Sequence, residues 1–152
     1  MSADDDALRT RTLQIVAAYQ SLLREGRWTE WAARWAEDAI LEFPFAPAGR
    51  KPAYHGKTEI LEYMRSAAGR IAIDSIERMR LFPMQDPEVA AVELAIKGRA
   101  TTTNRPYNQS YVIFFEVQNG KLWRYREYWN PLVSIEAFGS GWVSELGAPQ
   151  ND

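Results

Sequence analysis

The sequence predicts an α+β fold: a cone-shaped, curved antiparallel β-sheet wrapped around N-terminal helices. Three observations point to it. Early in the chain, Leu8, Thr12, Ile15, Val16, Tyr19, Leu22 and Leu23 recur at helical spacing as one stripe. From Ile71 onward the pattern changes to apolar-rich runs separated by Pro83, Asp86-Pro87 and Asn104-Arg105-Pro106. The last two runs meet at Asn119-Gly120, which accepts positive φ at both positions and so favours a two-residue type I′ hairpin. The 152 residues fit a single domain spanning 1–152, with 1–6 and 147–152 expected as flexible tails.

Taken in order, Asp4–Glu25 reads as an amphipathic helix. Its acidic start suits the positive end of the helix dipole, and Gly26 is a natural stop. Trp28, Trp31 and Trp35, three and four residues apart, predict a short second helix. Ala39–Phe45 reads as a first strand, ended by Pro44, Pro47, Gly49 and Pro52 in a loop that could form a rim. Lys57–Ala68 is a third helix, with Ile60, Leu61 and Met64 inward and Glu59 three residues after a Gly56 start. Strands are expected at Ile71–Phe82, Glu88–Thr101, Asn108–Gln118 and from Lys121 to Trp129, and a last helical turn at Leu132–Phe138.

Composition narrows the function. A formal net charge of −2 with no basic run argues against nucleic-acid binding. With no Cys, one His and no clustered carboxylates, neither a disulfide nor a metal centre is expected. No apolar run reaches membrane-spanning length and the N-terminus lacks an apolar signal core, so a soluble cytoplasmic protein is expected. Six Trp, seven Tyr and six Phe are enough to line a small-molecule pocket as well as a core.

The final hairpin holds the chemical clue. Alternation sends Trp123, Tyr125, Glu127 and Trp129 to one face and Leu122, Arg124, Arg126 and Tyr128 to the other. A two-residue loop with unbroken register then pairs Val112 with Glu127 and Phe114 with Tyr125. A carboxylate alone among aromatic rings is costly as an anion, so Glu127 is the candidate general acid/base, with Arg99 as its alternative ion partner. His55 is the second candidate, because imidazole titrates near neutrality, with anchoring of the turn before the third helix as its alternative role. Trp129, Tyr125, Trp123, Trp31, Trp35, Phe43 and Phe45 are candidates to grip a flat apolar ligand, with core packing as the alternative for each, and Arg99 and Tyr107 to sit near the mouth. On the opposite face, Arg124, Arg126 and Tyr128 are expected to pair with Phe115, Ile113 and Tyr111 and to form a homodimer contact.

Several strings resemble the SnoaL-like branch of the nuclear transport factor 2-like superfamily. They are Tyr54-His55-Gly56-Lys57-Thr58-Glu59, Gly98-Arg99-Ala100, Tyr107-Asn108-Gln109-Ser110-Tyr111-Val112 and Gly120-Lys121-Leu122. The ending Tyr125-Arg126-Glu127-Tyr128-Trp129-Asn130-Pro131 is similar also to the phenazine-biosynthesis A/B proteins. The resemblance implies the cone fold, frequent homodimers, and acid/base chemistry on hydrophobic metabolites without a cofactor. It implies that Glu127 matches the acid/base glutamate of the phenazine proteins and His55 a ligand-facing histidine. The chain departs from related cyclases at Asn130, where many carry Asp, and from the epoxide hydrolases at Thr101, where an Asp–Arg–Asp set would need Asp.

Three functions follow as expectations. The first is a cofactor-free isomerase, cyclase, dehydratase or condensing enzyme for a hydrophobic or aromatic metabolite. The second is a non-catalytic binding protein, and the third a protein-interaction module with a filled, closed cone.

Overall fold

Residues 2–139 and 141–142 are described by a computed structural model of the chain. The elements are α1 (Ala3–Glu25), α2 (Trp28–Ala32), β1 (Trp35–Glu42), β2 (Ala53–His55), α3 (Lys57–Ala68), β3 (Ile71–Pro83), β4 (Val89–Ala100), β5 (Gln109–Gln118), β6 (Lys121–Trp129) and α4 (Pro131–Phe138). The expected tail at 147–152 lies outside the described residues. At the other end, Ala3–Asp6 are the first turn of α1 rather than a tail. Ser2 and Asp5 close that turn as a reciprocal capping box, which satisfies two N–H groups a helix start leaves open.

The six strands form one sheet in the order β2-β1-β6-β5-β4-β3. Four of its neighbours are antiparallel as expected, while β1 runs parallel to β6. The sheet curls around the helices. Inside it, Ile15, Val16, Tyr19 and Leu22 of α1 pack against Val92, Ile113, Phe115, Leu122 and Tyr125. The helix is also tied down at its side, because the Thr12 hydroxyl donates to the Pro87 carbonyl at 2.8 Å. A smaller cluster of Ile96, Ala100, Tyr107 and Ala137 seats α4 at the far end.

Local twist explains the curl. Along β4, Ala90, Val92, Leu94, Ile96, Gly98 and Ala100 point inward, opposite Pro83, Leu81, Met79, Ile76, Ile73 and Ile71 of β3. The β3 residues are two or three apart, and register shifts near Asp74 and Glu77 absorb the odd steps. Each bulge adds a residue and sharpens the twist while Ile71, Ile73, Ile76, Met79 and Leu81 all stay on the inner face. Gly98 is required at this crossing: a Cβ there would stand 2.4 Å from the Ala72 carbonyl oxygen.

Two expectations change here. Trp35 begins β1 rather than ending the second helix, and β1 is Trp35–Glu42 rather than Ala39–Phe45. The hairpin turn is as expected, with φ of 51° at Asn119 and 75° at Gly120. Its register is not. Gln118 pairs with Lys121 and Val117 with Leu122, but Glu116 then pairs with Arg124, leaving Trp123 as a bulge. Beyond the bulge Glu127 faces Ile113, Tyr125 faces Phe115 and Trp129 faces Tyr111. The partners expected from unbroken pairing, Val112 and Phe114, instead meet Tyr128 and Arg126. One inserted residue therefore exchanges the two faces of β5 relative to β6.

Candidate active site

Between α1, α3, α4 and the inner face of β3–β6 lies a cavity of about 450 Å³. From β6 come Tyr125, Glu127 and Trp129, from β5 Tyr111 and Ile113, from α1 Tyr19 and from α3 Tyr63. Alternation along β6 beyond the bulge is what turns Glu127 inward. Gln109 then braces the base of the same strands: its amide donates to the Asn130 carbonyl at 2.8 Å, and its carbonyl oxygen accepts from the Asn130 N–H at 3.0 Å.

Glu127 is the centre of this arrangement. Its Oε1 accepts a hydrogen bond from the Tyr125 hydroxyl at 2.8 Å. Among the described residues it forms no ion pair. Burial against rings and aliphatic chains raises its pKa to about 7, and the Tyr125 hydrogen bond offsets part of the rise. The carboxyl is nonetheless half-buried, because the cavity itself admits solvent to it. At neutral pH both protonation states are populated, as an acid/base catalyst requires.

The phenols around Glu127 are buried as well. Burial and the nearby carboxylate hold Tyr63 and Tyr111 well above the usual phenol range, so they face the cavity as neutral hydroxyls. Tyr107 and Tyr111 share a hydroxyl–hydroxyl hydrogen bond of 2.9 Å. The Tyr19 hydroxyl is fully enclosed with no well-formed partner, next to that of Tyr125.

The structure brings together Glu127, Tyr125 and Trp129 from the expected set and leaves the others apart. Trp31 and Trp35 are fully buried core residues packed on Tyr19, at centroid distances of 5.5 and 6.0 Å. Phe43 is core too, edge-on to Trp129 at 6.2 Å. Phe45 is 58% exposed, with its ring against Tyr128. Trp123, the bulged residue, does not border the cavity. Arg99 is engaged elsewhere, 3.7 Å from Asp74 and hydrogen-bonded to Asn104. His55 stands exposed at the end of β2, because alternation buries Tyr54 and turns its neighbour outward. Its backbone N–H donates to Glu59 at 2.6 Å, so its place in the chain serves the start of α3. Asn130 caps α4 by accepting from the Leu132 N–H at 3.0 Å. Among the described residues no group of three His, Asp or Glu is placed to hold a metal, and no helix is long and apolar enough to cross a membrane.

Sequence reasoning missed Arg50, Tyr63, Tyr111 and Trp142 as cavity residues. Tyr111 carried a signal, since one bulge in the hairpin would have moved it to the inner face. Arg50 and Trp142 carried none, because only the folded chain brings these distant residues to one cavity.

The chain belongs to the SnoaL-like domain family, whose sequence profile matches residues 16–125 and stops two residues short of Glu127. It is 30% identical over 118 residues to an uncharacterised PhzA/B-like protein of Pseudomonas aeruginosa, covering 78% of this chain and 83% of that one. A solved structure from Bacillus subtilis, provisionally assigned as an isomerase, superposes with a TM-score of 0.77 at 31% identity, over 85% of this chain and 93% of the other. A nuclear transport factor 2-like protein from Burkholderia xenovorans gives a TM-score of 0.72 at 22% identity, over 84% and 95% of the two chains, and shows the same fold.

Proposed function

We propose that this protein is a cofactor-independent acid/base enzyme acting on a hydrophobic or aromatic metabolite, in an isomerisation, cyclisation, dehydration or condensation. One observation carries this: Glu127 is an uncompensated carboxyl in an aromatic cavity, held by Tyr125 at 2.8 Å with its pKa near 7. In its ionised form Glu127 removes a proton from a carbon made acidic by an adjacent carbonyl. The resulting neutral acid returns that proton at the same or a neighbouring atom, so glutamate is regenerated each turnover. The neutral phenols nearby can donate hydrogen bonds to oxygen as charge builds there. The provisional isomerase assignment of the Bacillus relative and the phenazine-type name of the Pseudomonas one support the same class.

Proton exchange tests this without knowledge of the natural substrate. The flat apolar ketone 2-tetralone, held in D₂O, should incorporate deuterium next to its carbonyl faster with the protein present, as read by NMR. Glu127→Gln should lower that acceleration by about two to four orders of magnitude, the usual worth of a positioned acid/base. Equal rates in the two proteins would remove the catalytic role and leave a binding protein.

We also propose a two-fold homodimer through the outer face of the sheet. Its support is apolar surface beside Phe45 and Val112, which are 58% and 41% exposed, framed by Tyr128 and Arg126.

A further inference from the structure

Besides Glu127, three arginines border the cavity, Arg24, Arg50 and Arg70, and of these only Arg50 is buried. Arg50 leaves the loop between β1 and β2 and is nine-tenths buried, with 9% of its surface exposed. A guanidinium carries five N–H donors and stays charged at any physiological pH. One donor reaches the Trp142 carbonyl at 3.1 Å, and the group lies 4.2 Å over the Trp142 ring, which in turn stacks on Phe138. Among the described residues Arg50 has no carboxylate partner. The hydroxyls of Tyr63 and Tyr54 favour its charge, whereas burial, the largest influence, and the nearby charge of Arg70 oppose it.

Burying a guanidinium without an anion is unfavourable, and truncating such a group to an apolar residue is often stabilising. Its orientation is nevertheless fixed, by the Trp142 carbonyl and ring and by the Tyr63 hydroxyl, where it borders the cavity. A planar fork of donors matches a carboxylate, which it can bind through two parallel hydrogen bonds. Trp142 and Trp129, 5.9 Å apart, run as an aromatic wall from Arg50 to the strand that holds Glu127. Arg50 enters from the loop between β1 and β2 and Glu127 from β6, so the two reach one cavity from different parts of the fold.

We infer that the substrate is an apolar carboxylic acid, bound with its carboxylate on Arg50 and its ring along Trp142 and Trp129, so that its reactive carbon reaches Glu127. The inference rests on the acid/base role of Glu127 for the chemistry, but on Arg50 and Trp142 for the substrate class. It makes Arg50 a specificity-determining residue. A neutral analogue of the same shape would leave the guanidinium unpaired and lose the charge-assisted hydrogen bonds.

Calorimetric titration with 2-naphthoate and 2-naphthamide tests this at about pH 6, where the first probe is ionised and the second neutral. The native protein should bind the acid at least tenfold more tightly than the amide, since charge-assisted bonds are about twice as strong as neutral ones. Arg50→Gln should bind the two alike, whereas Glu127→Gln should keep the full preference. Arg50→Met keeps the stem, removes a buried charge and covers the case in which Arg50→Gln does not fold. Equal binding of both probes to the native protein, no binding of either, or a preference that survives both Arg50 variants would overturn the inference. Tetralone exchange that depends on Glu127, without any preference for the acid, would sink the substrate class and leave the acid/base role standing. A preference that depends on Arg50, without exchange, would keep the carboxylate site and sink the acid/base role.

Discussion

Glu127 contributes to stability in a direction opposite to most carboxylates. Its folded pKa is raised to about 7, so the folded protein keeps a proton that the unfolded chain has already released above the ordinary glutamate range. Its contribution to stability is therefore fully present at low pH and is lost as pH rises through that range to about 7, by on the order of 3 kcal/mol for a shift of this size. Glu127→Gln holds a neutral side chain at every pH and should erase this slope. Urea unfolding of both proteins at about pH 5 and pH 8 should show the variant gaining on the native protein at the higher value; a constant difference would contradict the raised pKa. Tyr125 acts on the same group from the other side. Its hydrogen bond favours the carboxylate, so Tyr125→Phe should raise the pKa of Glu127 further and move the midpoint of any base-dependent rate to higher pH. A midpoint that stays put or moves down would show that the 2.8 Å contact does not tune the site.

At the scale of elements, the site depends on three bulges. Those near Asp74 and Glu77 keep Ile71, Ile73, Ile76, Met79 and Leu81 of β3 facing inward, and the one at Trp123 brings Ile113 and Phe115 to face Glu127 and Tyr125. Gly98 permits the close approach of β3 to β4. Gly98→Ala places a methyl group against the Ala72 carbonyl, and strand backbone cannot yield as a side-chain tip can. A loss of about 1–3 kcal/mol in unfolding free energy is expected, with weaker ligand binding because Ile73, opposite Gly98, borders the cavity. Unfolding curves that superimpose on the native one would show the crossing to be looser than its geometry.

For the whole molecule, the register decides which face is available for assembly. Tyr111, Ile113 and Phe115 lie inside, so the outer face is built from Val112, Phe114 and Glu116 opposite Tyr128, Arg126 and Arg124. Part of that face is already satisfied: the Arg124 Nε bonds Glu42 at 2.7 Å and lies 3.6 Å from Glu116. The apolar remainder centres on Phe45, Val112 and Tyr128. Sedimentation at micromolar concentration should give a mass near twice 17.4 kDa, falling to one chain in Val112→Glu. A native mass of one chain would rule out the dimer.

Local chemistry was enough to determine much of this protein. Apolar period, breaker residues and the Asn119-Gly120 turn are properties of neighbouring residues, and they located the helices, the hairpin and a carboxylate bound for the inner face. Asn130 is a counterexample on the same scale: its position before Pro131 makes it a helix cap, whatever residue relatives carry there. What depends on distant parts of the chain was not legible. A bulge is chosen by how two twisted strands meet, so Trp123 could not be recognised as the extra residue, and the tryptophans at 31 and 35 could not be assigned to core rather than cavity wall. The orientation of His55 depends on a three-residue strand that exists only because β1 is beside it. Arg50 and Trp142 are 92 residues apart, and only the folded chain brings the guanidinium under the carbonyl and ring that hold it. Such contacts depend on packing in three dimensions, which neighbouring residues in the chain do not encode on their own.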